Sequence, residues 1–87
     1  MYLHLGQSVV VPYQKILGIF DLDNASWAFK TREFLERAQL EGRVVSVSED
    51  LPRSFVLVGE KTGLPIVYVS QLSSATLLSR AERNSFE

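Results

Sequence analysis

The stretch Lys15-Ile16-Leu17-Gly18-Ile19-Phe20-Asp21 decides the fold class, because its apolar residues are consecutive and therefore lie on both faces of the strand that it predicts. Two later segments, Phe55–Val58 and Ile66–Val69, also lack alternation between apolar and polar residues. An antiparallel sheet with one face in water shows such alternation. We therefore expect a central sheet that is covered on both faces.

Upstream of this stretch, the chain predicts two short strands. Leu3 and Leu5 fall on one face of the first strand, within residues 1–5, and Gly6-Gln7 form a tight connection to a second strand, Val9–Val11. Pro12 ends this second strand.

Downstream, the pattern changes from strand to helix and back. An apolar stripe at helical spacing predicts the main helix over about residues 27–41, and it consists of Trp27, Phe34, Leu35 and Ala38. Gly42 ends this helix as its C′ residue. Strands follow at 44–47, 55–58 and 64–69, the last two joined by the turn residues 60–63. Ser73-Ser74 cap a short C-terminal helix over about 74–83.

These elements predict an α+β fold in a single domain, residues 1–87, with a mostly antiparallel β-sheet, one main helix and a short C-terminal helix. Two helices cover about one face of such a sheet. The other face of the sheet would be an exposed apolar patch larger than monomers usually have, so we expect other subunits to cover it. The alternative is a small barrel that closes on its own core.

Composition excludes several classes of site. The 87 residues contain no cysteine, which rules out disulfides, zinc–thiolate sites and a cysteine nucleophile. No apolar run approaches the length of about 20 residues that a membrane helix needs, and the N-terminus does not resemble a signal peptide. A cytoplasmic protein is therefore expected. The formal net charge of −1 lacks the basic excess of most nucleic-acid binders.

Motifs for catalysis or cofactors are weak. The single histidine, His4, has no acidic neighbour in sequence, and the scattered glycines form no phosphate-binding loop. The segment Asp21-Leu22-Asp23-Asn24 resembles the start of a calcium loop, but Ser26 and Arg32 stand where that loop has glycine and glutamate. We expect no cofactor, no metal and no enzymatic activity.

Two basic residues are the candidates for DNA contacts. Most others either alternate with glutamates on the main helix or lie at the end of the last helix, where cations complement the helix dipole. Lys15 and Arg53 each directly precede a strand, so we expect both to project from one rim of the sheet. The alternative role for this pair is solubility and protection of a sheet edge.

Four segments in order resemble the RemA/RemB family of small bacterial regulators of the biofilm matrix. They are Tyr2-Leu3-His4-Leu5-Gly6, residues 15–21, Pro52-Arg53-Ser54-Phe55-Val56 and Leu72-Ser73-Ser74-Ala75-Thr76-Leu77. The resemblance covers about residues 1–83. It implies a sequence-tolerant DNA-binding regulator of extracellular-matrix genes, without a cofactor, that forms a ring-like homo-oligomer with basic residues on one face. It also implies an architecture likened to LytTR-type DNA-binding domains.

The chain departs from the RemA pattern at one point. Lys15 matches the basic residue that precedes the third strand of that pattern, but Asp50-Leu51-Pro52 stand where it has Gly-Arg-Arg, and only the adjacent Arg53 is basic. Fewer phosphate contacts weaken binding to DNA. Two functions therefore stay open: a DNA-binding regulator with Lys15 and Arg53 as contacts, or an oligomeric scaffold that partners a RemA-like protein. A small-molecule-binding or enzymatic domain has almost no residues to support it.

Overall fold

The computed structural model describes residues 1–22 and 29–84. These residues form six strands, two α-helices and a 3-10 turn. In chain order they are β1 (Tyr2–Gly6), β2 (Val9–Pro12), the 3-10 turn (Tyr13–Lys15), β3 (Ile16–Asp21), α1 (Phe29–Leu40), β4 (Val44–Ser46), β5 (Ser54–Val58), β6 (Ile66–Ser70) and α2 (Ser74–Asn84).

The central sheet has four strands in the order β3-β5-β6-β4, and β1 and β2 form a separate antiparallel ribbon. β3 with β5 and β5 with β6 are antiparallel, whereas β4 runs parallel to β6. The predicted α+β class with a mostly antiparallel sheet is confirmed. The strand that defines the class, β3, lies at an edge of the sheet.

The sheet is covered on both faces by its own chain. On one face, Ala38 of α1 packs with Phe55 and Val67. On the other face, the ribbon and α2 pack against β5, and the buried residues of this second cluster are Leu3, Leu5, Val11, Val47, Val56, Val58, Leu77 and Ala81. The ribbon turns its apolar side onto the sheet and covers most of the face that a partner was expected to cover, so coverage by other subunits stays a prediction. The described strands do not close into a barrel.

Two buried serines join the ribbon and the sheet. The Ser70 hydroxyl donates to the Leu5 carbonyl at 2.6 Å and accepts from the Leu72 N–H at 3.0 Å. The Ser54 hydroxyl, opposite Ser70 in the β5–β6 register, donates to the Leu72 carbonyl at 2.7 Å. Both serines are fully buried, so these bonds satisfy polar groups that water does not reach.

The predicted turns and caps agree with the structure. The turn at Gly6-Gln7 uses φ angles of 123° and 49°, and Gly42, just after α1, has a φ of 73°. The Ser73 hydroxyl accepts the Thr76 N–H at 3.1 Å, which caps α2. The start of the predicted main helix, with Trp27, lies outside the described residues, as does most of the segment with calcium-loop resemblance.

Candidate nucleic-acid interface

Lys15 lies at the end of the sheet where β3 begins and β5 ends. It is the last residue of the 3-10 turn, and its side chain is exposed. Its carbonyl accepts the N–H of Gly59 at 2.7 Å, directly after β5. We call this the Lys15 end of the sheet.

Arg53 lies at the opposite end. Its carbonyl accepts the Leu22 N–H at 2.8 Å, and its own N–H donates to the Ser70 carbonyl at 2.8 Å. Lys15 precedes β3 and Arg53 precedes β5. Because these two strands are antiparallel, β3 begins at the end of the sheet where β5 ends. Since Lys15 is bonded to Gly59, six residues along the chain from Arg53, the two residues are about 20 Å apart. The prediction that both project from one rim is therefore wrong.

The Lys15 end contains two further cations that sequence reasoning missed, Lys61 and Arg43. Lys61 is exposed in the connection between β5 and β6, which returns the chain to the end where β3 begins. Arg43 precedes β4, and its carbonyl accepts the Val67 N–H at 2.8 Å. The predicted turn at residues 60–63 was the available indication for Lys61, but placing it beside Lys15 required the strand order.

Arg43 has structural partners that occupy its guanidinium. It forms an ion pair with Glu41 at 2.7 Å and donates to the Pro65 carbonyl at 2.6 Å. Its guanidinium carbon also lies 5.9 Å from the centre of the Phe34 ring. This residue fastens the start of β4 to the loop before β6, so the exposed cations of this end are Lys15 and Lys61.

The two ends of the sheet differ in charge. Among the described residues, the Lys15 end has three cations, Lys15, Arg43 and Lys61, against the carboxylates Glu41 and Glu60. The Arg53 end has Arg53, with Lys30 of α1 near the end of β3 beside Phe20 and Phe55, against the carboxylates Asp21, Glu49 and Asp50. A phosphate backbone is attracted to cations and repelled by carboxylates. The Lys15 end is therefore the better nucleic-acid surface of the two.

A polar cleft of about 890 Å³ lies at the Arg53 end. Glu49, Asp50 and four serines contribute to its lining, and no lysine or arginine does. The Oε1 atom of Gln71, another lining residue, is buried without a hydrogen-bond partner. An acceptor-rich cleft of this kind is unsuited to a phosphate group.

The remaining candidates from the sequence show no catalytic arrangement. The His4 side chain is exposed, and its carbonyl accepts a bond from Arg80 at 3.3 Å. Within residues 1–22 and 29–84, no group of three or more histidine, cysteine or acidic residues is arranged to hold a metal ion. In the same residues, no helix is long and apolar enough to cross a membrane.

Comparison with known proteins identifies one informative relative. The chain is 37% identical over 82 residues to Extracellular matrix regulatory protein B of Bacillus subtilis (strain 168). The aligned region covers 94% of this chain and 91% of that protein, so the similarity extends over essentially the whole of both. No family model matches the chain.

Proposed function

Because the chain belongs to the family of Extracellular matrix regulatory protein B, a regulatory protein by name, we propose that it regulates extracellular-matrix genes by binding double-stranded DNA. The proposal includes self-association into a ring-like homo-oligomer in the cytoplasm of a bacterium, as its resemblance to the RemA/RemB family implies. No cofactor and no enzymatic step are part of it.

The observation that carries the DNA proposal is the pair of exposed lysines at one end of the sheet. Lys15 and Lys61 project from neighbouring chain segments, since the Lys15 carbonyl is bonded to Gly59, two residues before Lys61. Lysines bind phosphate oxygens as point charges without reading base sequence. Two contacts per copy give weak binding, and repetition in an oligomer raises the effective affinity by avidity.

Arg53 has a different place in this proposal than its sequence position indicated. It lies at the carboxylate-rich end of its own copy, about 20 Å from Lys15 along the sheet. It is a DNA contact only if another copy brings it beside the Lys15 end. DNA binding through Arg53 therefore depends on assembly, whereas contact through Lys15 and Lys61 does not.

A mobility-shift assay with duplex DNA over a salt series tests the proposal. Lys15→Glu and Lys61→Glu together should abolish the shift at moderate salt and reduce the slope of log affinity against log salt, by about 0.9 for each phosphate that a copy no longer neutralises. Arg32→Glu with Arg37→Glu, an equal charge change at two exposed positions of α1, is the control. No shift of the wild-type protein at low salt, or an unchanged shift of the double variant, would contradict the proposal.

The carboxylate-rich Arg53 end favours a second candidate function, which is an oligomeric scaffold that binds a RemA-like regulator. Its three carboxylates suit a basic protein partner better than DNA. Co-purification with such a partner, together with the absence of any DNA shift at low salt, would support the scaffold. Loss of that co-purification in Glu49→Gln with Asp50→Asn would show that the partner binds at the Arg53 end.

A further inference from the structure

We propose that the edge of β3 pairs with β3 of a second copy in antiparallel orientation, about a two-fold axis. The two four-stranded sheets then join into one continuous sheet of eight strands. This inference rests on the self-association in the proposed function, and it names the surface that associates.

β3 is an open edge of the sheet. It is the longest strand of the described residues, with six residues, and no described strand bonds to its outer side. The five residues from Ile16 to Phe20 include no charge and no proline, two of the features by which edge strands avoid association, and one register shift against β5 lies between Ile16 and Gly18. The opposite edge, β4, has only three residues and is too short to pair along the length of β3.

Apolar side chains are exposed on both sides of this edge. Leu17 of β3 is 65% exposed and Leu78 of α2 is 47% exposed, and both line a groove of about 230 Å³ between the strand and α2. On the other face, Phe20 remains 42% exposed, because α1 packs mainly over β4 and β6. A strand added to β3 would cover part of this surface on both faces.

The charges at the two termini of β3 select a second copy in antiparallel orientation. Lys15 directly precedes the strand and Asp21 is its last residue. Antiparallel pairing brings Lys15 of one copy beside Asp21 of the other, and the two-fold axis repeats this contact. Parallel pairing of two β3 strands would instead bring Lys15 beside Lys15 and Asp21 beside Asp21, which is unfavourable.

This pairing has a consequence for DNA binding. The Leu22 N–H donates to the Arg53 carbonyl, so the second copy's Arg53 arrives with the end of its β3. Lys15 and the second copy's Arg53 are then about two strand spacings apart, roughly 10 Å, instead of about 20 Å within one copy. Two cations flank one carboxylate in this composite patch, which occurs twice in the dimer.

A two-fold contact closes on itself, since the same surface is used by both copies. It therefore defines a dimer, and a ring requires a second, head-to-tail contact elsewhere on the molecule. The dimer formed through β3 would be the unit from which such a ring is built.

Cross-linking tests the contact, because the chain has no cysteine of its own. Leu17→Cys, near the middle of β3, should give a covalent dimer with a short thiol-specific cross-linker, as the two Leu17 positions lie close to the two-fold axis. Leu64→Cys, also exposed but in the connection between β5 and β6, should give none. A head-to-tail contact would leave Leu17→Cys uncross-linked, and that result would overturn the inference, as would a wild-type monomer by light scattering.

An uncharged edge variant separates this inference from the DNA proposal. Leu17→Gln with Leu78→Gln should lower the solution mass below that of the wild type and weaken DNA binding by at least about tenfold at fixed salt, although Lys15 and Arg53 are unchanged. Leu40→Gln with Leu64→Gln, at two leucines away from this edge that are more exposed than the first pair, should alter neither. A cross-linked dimer that binds no DNA contradicts only the proposed function. DNA binding by wild type without the Leu17 cross-link contradicts only the β3 contact.

Discussion

Replacing Leu5 by alanine tests whether the ribbon closes the core of its own chain. Leu5 is 0% exposed and packs in the cluster that joins the ribbon, β5 and α2. The substitution removes three buried carbon atoms, worth about 2.4 kcal/mol of transfer free energy at about 0.8 kcal/mol each. With the cavity left behind, the expected loss of unfolding free energy is about 2.7–5 kcal/mol. Since a domain of this size has a total of roughly 4–13 kcal/mol, the variant should fold with a much lower urea midpoint.

Urea denaturation at two protein concentrations, about tenfold apart, is the decisive form of this measurement. The difference in unfolding free energy between wild type and Leu5→Ala should be the same at both concentrations, because Leu5 is buried within one copy. Leu64→Ala, at a position 57% exposed, should change stability by no more than about 0.5 kcal/mol. A difference below about 1 kcal/mol, or one that changes with concentration, would show that the ribbon packs elsewhere or between copies.

Three further substitutions test single contacts by the same urea assay. Ser70→Ala should lower the unfolding free energy by about 1–3 kcal/mol, because it leaves the buried Leu5 carbonyl without its 2.6 Å donor. Gly18→Ala should cost about 1–3 kcal/mol, since the added Cβ would meet the Phe20 ring at 2.7 Å. Tyr13→Phe should cost about 0.5–1.5 kcal/mol through loss of the 3.1 Å bond to the main chain of α2.

Matched controls exist for each of these three changes. Ser79→Ala removes an exposed hydroxyl from α2. Gly59→Ala adds a Cβ at an ordinary 3.6 Å from the Leu17 side chain. Tyr68→Phe removes a phenol hydroxyl that forms no hydrogen bond in the described residues. A control that destabilises the protein as much as its matched variant would refute the corresponding contact.

The charge distribution makes the DNA-binding proposal compatible with a net charge of −1. Strand direction sorts the loops of the sheet into two groups, and the loops at the Lys15 end contain more cations than those at the Arg53 end. Net charge averages over both groups and hides this difference. Association through β3 would place the two ends of neighbouring copies side by side.

Local patterns in the sequence were sufficient for the elements themselves. Consecutive apolar residues predicted β3, β5 and β6, and helical spacing with Gly42 and Ser73 predicted where α1 ends and α2 begins. These features depend on interactions within a few residues, so each can be read from a short window. The fold class followed from them, and the similarity to Extracellular matrix regulatory protein B confirmed the family resemblance.

Strand order and direction determined which basic residues lie at the same end of the sheet. The sequence alone placed Lys15 and Arg53 on one rim because each precedes a strand, but antiparallel pairing of β3 with β5 puts them at opposite ends. The same pairing brings Lys61 to Lys15, and the ribbon covers the face that two helices leave open. These outcomes arise from contacts between segments far apart in the chain. The opening apolar stretch thus determined that a covered sheet exists, while tertiary packing determined what covers it and left β3 at an edge without a neighbouring strand among the described residues.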